Sequence, residues 1–143
     1  MARLWLPVLI WMAVIFYGSN QQGLPTASSG MLDLLIKKTG HVIEYALMGL
    51  LAARAWHGSL TPTSDGQTAD PHREHTFDNP GWMKPAILAV ALGCLYAISD
   101  EVHQLFVPTR NGQIRDVILD AAAVTLGVSL LWLWRRLWSR RQD

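Results

Sequence analysis

The sequence contains little cysteine, and charge of neither sign dominates. Cys94 is the only cysteine among the 143 residues, so no disulfide can form within the chain, and cysteine content does not indicate a compartment. The chain carries 12 lysines and arginines against 11 acidic residues, a formal net charge of +1. This balance gives no support to nucleic-acid binding, so we expect no nucleic-acid partner. There is no internal repeat, and the length fits a single domain over 1–143.

Half of the residues are hydrophobic, and they are concentrated in four segments. A membrane-spanning helix needs roughly 20 mostly apolar residues to cross about 30 Å of hydrocarbon. The candidate spans are residues 4–19, 37–58, 84–107 and 116–138. Pro85 suits the first turn of the third span, and Pro108 marks its end. We therefore predict an all-α integral membrane bundle of four transmembrane helices.

The first span has an alternative interpretation as a cleaved signal peptide. No small-residue cleavage site follows it, and Trp5, Trp11 and Tyr17 suit a helix retained between the two interfaces of a membrane. We expect this segment to be retained.

Residues 59–83 separate the second and third spans and are rich in Pro, Gly, Ser, Thr, Asp and His. This composition predicts a solvated, mobile loop. The loop contains four side chains able to ligate a metal, but their spacing matches no zinc pattern, so we interpret the segment as a polar linker. They are His72, Glu74, His75 and Asp78.

Arginines near the C-terminus predict the orientation. Four of them lie within residues 135–141, and cytoplasmic segments are enriched in Lys and Arg. Four spans then place both chain ends and the 59–83 loop in the cytoplasm. Lys37, Arg110 and Arg115 fall on the outer side, which is an exception to the rule and suggests a local role for these charges.

Ionisable side chains share helix faces near the outer ends of the spans. Placed at about 100° per residue, these faces carry Lys38, His41 and Tyr45; Asp100, His103 and Gln104; and Asp116 and Asp120. Small residues follow on the same faces and allow close helix approach. Exposing a charge to lipid costs several kcal/mol. The sequence therefore predicts a shared polar pocket just below the outer surface. The candidate ligand-binding residues are Lys38, His41, Tyr45, Asp100, Glu101, His103, Gln104, Arg110 and Asp116.

Two carboxylates lie off the main faces. Glu44 and Glu101 either join the pocket or snorkel and pair with Lys37 or Arg115. A further alternative concerns the whole set, since a buried polar network can simply fix the register of packed helices. The number of ionisable groups favours a functional pocket, because such groups are costly within a membrane.

These residues also carry a family resemblance. The matching positions are Lys38, His41 and Tyr45 in K-x-x-H-x-x-x-Y, then Ser99, Asp100, Glu101, His103, Gln104, Phe106 and Arg110 in S-D-E-x-H-Q-x-F-x-x-x-R, and Asp116. On them, the chain resembles VanZ-like membrane proteins over roughly residues 4–131, apart from the polar loop. The chain has Thr109 and Ala123 where the family often has Gly, and Asp120 where it often has Asn.

The resemblance implies a small multi-pass protein of the bacterial cytoplasmic (plasma) membrane. The namesake of the family is associated with resistance to teicoplanin, a glycopeptide that carries a fatty acyl chain. The resemblance implies a fold and a context in antibiotic resistance and the cell envelope, but no reaction, no catalytic residue and no cofactor.

Three functions are compatible with the sequence. The first is a membrane binding or resistance factor, with Lys38 and Arg110 holding an anionic headgroup and carboxylates holding amines or sugars of a lipid-linked or acylated ligand. The second is an intramembrane hydrolase or transferase acting on a lipid-linked envelope substrate. Such an enzyme could use a metal ion held by i,i+3 pairs such as His41 and Glu44. Alternatively, it could use His103 as a general base. The third is a structural or transport subunit that uses the polar faces to bind other helices; the apolar or small cytoplasmic halves of the spans disfavour a transport pathway. Membrane lipid is the expected partner, and the oligomeric state stays open.

Overall fold

The computed structural model describes residues 1–21, 30–60, 81–108, 112–139 and 141. Its elements are α1 (Ala2–Ser19), α2 (Gly30–Leu60), α3 (Met83–Gln104) and α4 (Ile114–Ser139). No strand occurs within these ranges, so the all-α prediction is confirmed. Most of the predicted 59–83 loop lies outside the described residues.

The second helix is longer than the sequence pattern predicts. It begins at Gly30, seven residues before the predicted start at Lys37. The residues added are mostly apolar, and they include no proline that would end a helix. At 1.5 Å per residue the 31-residue helix is about 46 Å long, which exceeds the roughly 30 Å of a hydrocarbon layer.

Three of the four helices are long and apolar enough to cross a membrane. These are α1, α3 and α4. The remaining helix, α2, carries Lys37, Lys38, Glu44 and Arg54 within its length, which lowers its hydropathy. The structure thus has three candidate spans and a further long helix, and transmembrane placement of α2 stays a prediction.

The polar helix α2 occupies the centre of the bundle. It packs against α1, α3 and α4, whereas α1 and α4 do not touch each other in the described part of the chain. A central position gives Lys38 and His41 partners on α4, which is how ionisable groups in membrane helices are tolerated, whereas Lys37 and Arg54 are exposed.

The helices alternate in direction, so both chain ends lie at one end of the bundle. The Trp5 indole N–H donates to Ser59 Oγ at 3.1 Å, which joins the start of α1 to the finish of α2. Lys38 pairs with Asp116 at the opposite end. We call the end with Lys38 and Asp116 the polar end, and the end with the chain termini the terminal end. Which end faces the cytoplasm stays a prediction.

Small residues bring the helix backbones together in the middle of the bundle, as predicted. A side chain added at Gly127 would meet the backbone carbonyl of Ala46, and one at Gly49 would meet that of Val124. At Gly93 the obstacle is the Val124 side chain, at 2.6 Å. These contacts leave no space for larger residues where α4 packs against α2 and α3.

The outer surface of the bundle is strongly apolar. Leu95 and Ile118 are about two-thirds exposed, and Leu9, Ile43 and Ile87 are more than half exposed. A protein in water would not present so many large apolar side chains over all its helices. The surface therefore fits a hydrocarbon environment.

Candidate ligand-binding cluster at the polar end

Three carboxylates are almost completely removed from the surface at the polar end. Asp120 is 0% exposed, Asp100 3% and Glu101 6%. They approach from α3 and α4, and α2 supplies His41 and Tyr45 between them. We call the set formed by Ser19, His41, Tyr45, Asp100, Glu101, Gln104 and Asp120 the polar cluster.

His41 and Asp120 form the central ion pair of the polar cluster. Both carboxylate oxygens of Asp120 lie 3.3 Å from Nδ1 of His41. Asp120 Oδ2 shares the hydrogen bond with that nitrogen, whereas Asp120 Oδ1 is buried without one in the described structure. Glu44 and Asp100 are further electrostatic neighbours of the imidazole. His41 thus lies among negatively charged groups from all of α2, α3 and α4.

Asp100 receives hydrogen bonds from two helices. Ser19 Oγ of α1 donates to Asp100 Oδ2 at 2.8 Å, and the Gln104 side-chain amide donates to the same oxygen at 3.0 Å. The other oxygen, Oδ1, is buried with no hydrogen-bond partner among the described residues. The last turn of α1 therefore contributes to the cluster, although α1 does not contact α4 in the described part of the chain.

Glu101 is buried in the interior of the bundle. Its position on the helical wheel allowed either a place in the pocket or a side chain that reaches toward solvent. Its Oε2 accepts the backbone N–H of Gln113 at 2.7 Å, just before α4 begins. Snorkelling toward solvent is therefore the wrong interpretation for this residue. Oε1 is buried and has no hydrogen-bond partner in the described ranges. The Gln113 contact anchors the start of α4 to the finish of α3.

The Tyr45 hydroxyl points into the cluster. Tyr45 is fully buried, and Asp100 and Asp120 are its charged neighbours. Its hydroxyl lies beside the Asp100 carboxylate but makes no hydrogen bond of good geometry with any described residue. The ring lies parallel to His41, with centroids 6.1 Å apart. The Tyr45 hydroxyl is thus buried in the interior without the well-formed hydrogen bond that a buried phenol usually makes.

Lys38 and Asp116 lie at the edge of the cluster and neutralise each other. Their side chains are 36% and 20% exposed, far more than the carboxylates further in. The helix faces predict that Lys38, His41 and Tyr45 meet Asp100 and His103, with Asp116 close by. Lys38 and His41 make their ion pairs with α4, and Asp100 of α3 is a further electrostatic neighbour of His41 and Tyr45.

His103 differs from the expected arrangement. His103 lies against Phe16 of α1, with ring centroids 4.6 Å apart, so it faces α1 and not His41. Its Nε2 is buried without a hydrogen-bond partner in the described ranges. Arg110 lies outside the described residues. The ligand-binding role of all nine predicted residues stays a prediction.

Two members of the cluster were absent from the predicted ligand-binding set. Asp120 was recognised on a polar face of the fourth span, but its departure from the family pattern left its role open. Ser19 is the last residue of α1, and nothing in the sequence distinguishes it from any serine that ends an apolar segment.

The predicted metal-binding pairs do not form a larger ligand set. Within the part of the chain that the structure describes, no group of three or more His, Cys, Asp or Glu side chains is arranged to hold a metal ion. The candidate ligands at 72–78 lie outside the described residues.

The comparison with protein families agrees with the motifs on these helices. A family model described as VanZ/LLP1 matches residues 4–135, which include every member of the polar cluster. No curated protein and no solved structure gives a significant match.

Proposed function

The chain belongs to the VanZ/LLP1 family, and we propose that its polar cluster binds the headgroup of a lipid-linked or acylated small molecule. In this proposal the polar end faces outward from a bacterial plasma membrane. The ligand arrives laterally through lipid, and the protein acts in resistance to glycopeptides of the teicoplanin type, the context that the family suggests.

One observation carries the proposal: buried carboxylates at the polar end keep unpartnered oxygens. Asp100, Glu101 and Asp120 each have one such oxygen among the described residues. A network that only fixed helix register would be expected to satisfy its buried polar atoms, because an unsatisfied buried group costs roughly 1–3 kcal/mol. Unused acceptors of this kind require an explanation, and a ligand is the one that we propose.

Apolar side chains beside the cluster would accommodate an acyl chain. Leu105 and Phe106, just after α3, are largely exposed, and Phe16 on α1 is half exposed. A ligand with its headgroup in the cluster would lay its chain along these residues. This arrangement favours an amphiphilic ligand over a small water-soluble one.

The test compares drug susceptibility and protein level in the same cells. Cells with the gene are expected to tolerate an acylated glycopeptide better than cells without it. Asp100→Asn keeps the size of the side chain and removes its charge, and it should abolish tolerance while the protein still accumulates. Thr125→Val is the matched control, since Thr125 lies on the exposed face of α4 and bonds only within its own helix.

Protein abundance provides the result that would contradict the proposal. Gly93→Leu and Gly127→Leu should reduce abundance first, because they obstruct helix packing. If Asp100→Asn also loses abundance in parallel with these glycine variants, the cluster is a structural network and the binding proposal is wrong.

A second candidate function rests on His41. An imidazole whose Nδ1 is held by a buried carboxylate has the orientation of a general base, and His41 with Asp120 meets this description. The sequence pointed to His103 for this role, but the described structure pairs that residue with no carboxylate. An intramembrane hydrolase or transferase acting on a lipid-linked substrate would use this pair. It is tested by product formation from lipid-linked envelope precursors, which His41→Gln should abolish without reducing their binding.

A further inference from the structure

The polar cluster contains more carboxyl groups than basic side chains. Its carboxylates are Asp100, Glu101 and Asp120, all more than nine-tenths buried. Within the described residues, only His41 makes an ion pair with any of them. Lys38 is engaged with Asp116 at the edge, and His103 lies against Phe16. At least two buried carboxylates therefore lack a positively charged partner in this part of the chain.

A second observation, on a side chain next to these carboxylates, points to a missing ligand. Tyr45 is fully buried, and its hydroxyl lies beside Asp100 and Asp120 but makes no hydrogen bond of good geometry with any described residue. A phenol buried in this way normally finds a partner. Its oxygen adds a neutral acceptor to the three unpartnered carboxylate oxygens.

These unpartnered atoms specify the chemistry of a ligand. Carboxylate oxygens accept hydrogen bonds and attract positive charge, whereas they repel phosphate and other anions. A primary ammonium group carries one positive charge and three N–H donors. It has enough donors to form charge-assisted hydrogen bonds with more than one carboxylate oxygen.

We propose that the polar cluster selects a primary ammonium group on the headgroup of its amphiphilic ligand. This inference rests on the proposed function and narrows it, since the sequence left both an anionic headgroup and an amine open. Of the two basic residues predicted to hold an anionic headgroup, Lys38 is engaged by Asp116, and Arg110 lies outside the described residues. The shared chemistry is an amine beside an acyl chain, whether in a membrane lipid or in an acylated antibiotic.

The test uses full-length protein purified in a neutral maltoside detergent and a series of amphiphiles with the same twelve-carbon chain. The probes are dodecylammonium, dodecyltrimethylammonium, dodecyl phosphate and dodecanol, and binding is followed as a saturable rise in melting temperature. Dodecylammonium is expected to bind at least about tenfold more tightly than the trimethyl compound, because only the former has N–H donors for the carboxylates. Dodecyl phosphate should not bind saturably.

Two variants connect the preference to the cluster. Asp100→Asn should weaken dodecylammonium binding by about tenfold or more, the typical effect of losing a charge-assisted hydrogen bond. Tyr45→Phe removes only a hydroxyl and should weaken it several-fold, so it tests the same site if Asp100→Asn does not fold. Thr125→Val should bind like the unmodified protein.

The outcomes separate the inference from the proposed function. Preference for dodecyl phosphate or dodecanol would overturn the ammonium assignment and leave a lipid-binding pocket in place. Equal binding of the two ammonium compounds, or stabilisation by Mg²⁺ or Zn²⁺ alone that displaces them, would also overturn it. If no amphiphile binds saturably, the pocket itself is wrong.

A last arm distinguishes the two sources of the amine. Nanodiscs of phosphatidylethanolamine and of phosphatidylcholine differ only in the amine substituents of the headgroup. If dodecylammonium binds more weakly to the protein in phosphatidylethanolamine nanodiscs than in phosphatidylcholine nanodiscs, the ligand is a membrane lipid. If neither lipid weakens dodecylammonium binding and an acylated glycopeptide that carries an amine binds directly, the ligand is the drug.

Discussion

Lys38 of α2 forms an ion pair with Asp116 of α4, although the two residues are 78 positions apart in the chain. The pair joins the N-terminal parts of two helices that run in the same direction. It lies at the edge of the bundle and remains partly exposed, whereas His41 and Asp120, one helical turn further in, form the more deeply buried pair. The exposed pair and the buried pair should therefore differ in energetic importance.

For the exposed pair we predict a small and reversible effect of charge exchange. Lys38→Asp and Asp116→Lys should each lower the free energy of unfolding modestly, since partly exposed ion pairs contribute about 1 kcal/mol or less. The double variant restores opposite charges and should recover most of the loss. Thermal unfolding of the four proteins in detergent gives the coupling energy. Additive losses in the double variant would show that the two charges do not interact.

For the buried pair we predict a much larger effect. His41→Ala leaves the fully buried Asp120 carboxylate without its ion-pair partner, and removing one member of a buried pair costs about 3–5 kcal/mol. Lys38→Ala is the matched control on the same face of the same helix, because Asp116 can still reach polar surroundings. Melting temperature and membrane abundance should both rank His41→Ala below Lys38→Ala. Equal losses would argue against a dry environment around Asp120.

Three glycines should respond differently to the same added methyl group. At Gly127 the new carbon would collide with the Ala46 carbonyl, a backbone atom, while at Gly93 it would meet the Val124 side chain. Gly40 has open space within 4 Å, where alanine favours the helix by about 0.5–1 kcal/mol. Stability should therefore fall most in Gly127→Ala, less in Gly93→Ala, and stay level or rise in Gly40→Ala. Thermal unfolding provides the ranking, and a destabilised Gly40→Ala protein would contradict the described packing.

Orientation is predicted from the distribution of arginine. The terminal end includes Arg3, Arg54 and Arg135, and cytoplasmic ends are enriched in such residues. In a Cys94→Ala background, a cysteine at Gln113 should react with an impermeant maleimide in intact cells. A cysteine at Gly81 should react only after the membrane is permeabilised. The reverse pattern would place the polar cluster on the cytoplasmic side and exclude an outward-facing pocket.

Much of the cluster could be predicted from residue spacing. The faces that carry His41 and Tyr45, Asp100 and Gln104 follow from 3.6 residues per turn and from the cost of exposing charge to lipid. The same reasoning placed small residues deeper on those faces, and the described helices pack there. Glu101 shows the limit of a helical wheel: its side chain reaches a backbone N–H of Gln113 that only the turn before α4 brings near.

The sequence by itself determined that the chain is helical and apolar outside, which residues are costly to expose, and which family it belongs to. These properties depend on local periodicity and composition, and both are present in the linear chain. Only the tertiary structure decided the partners: α2 at the centre, Lys38 and His41 against α4, Ser19 on Asp100 and His103 on Phe16. The physical reason is that a helix face fixes a direction, whereas the neighbour in that direction depends on how close the small residues allow each pair of backbones to approach.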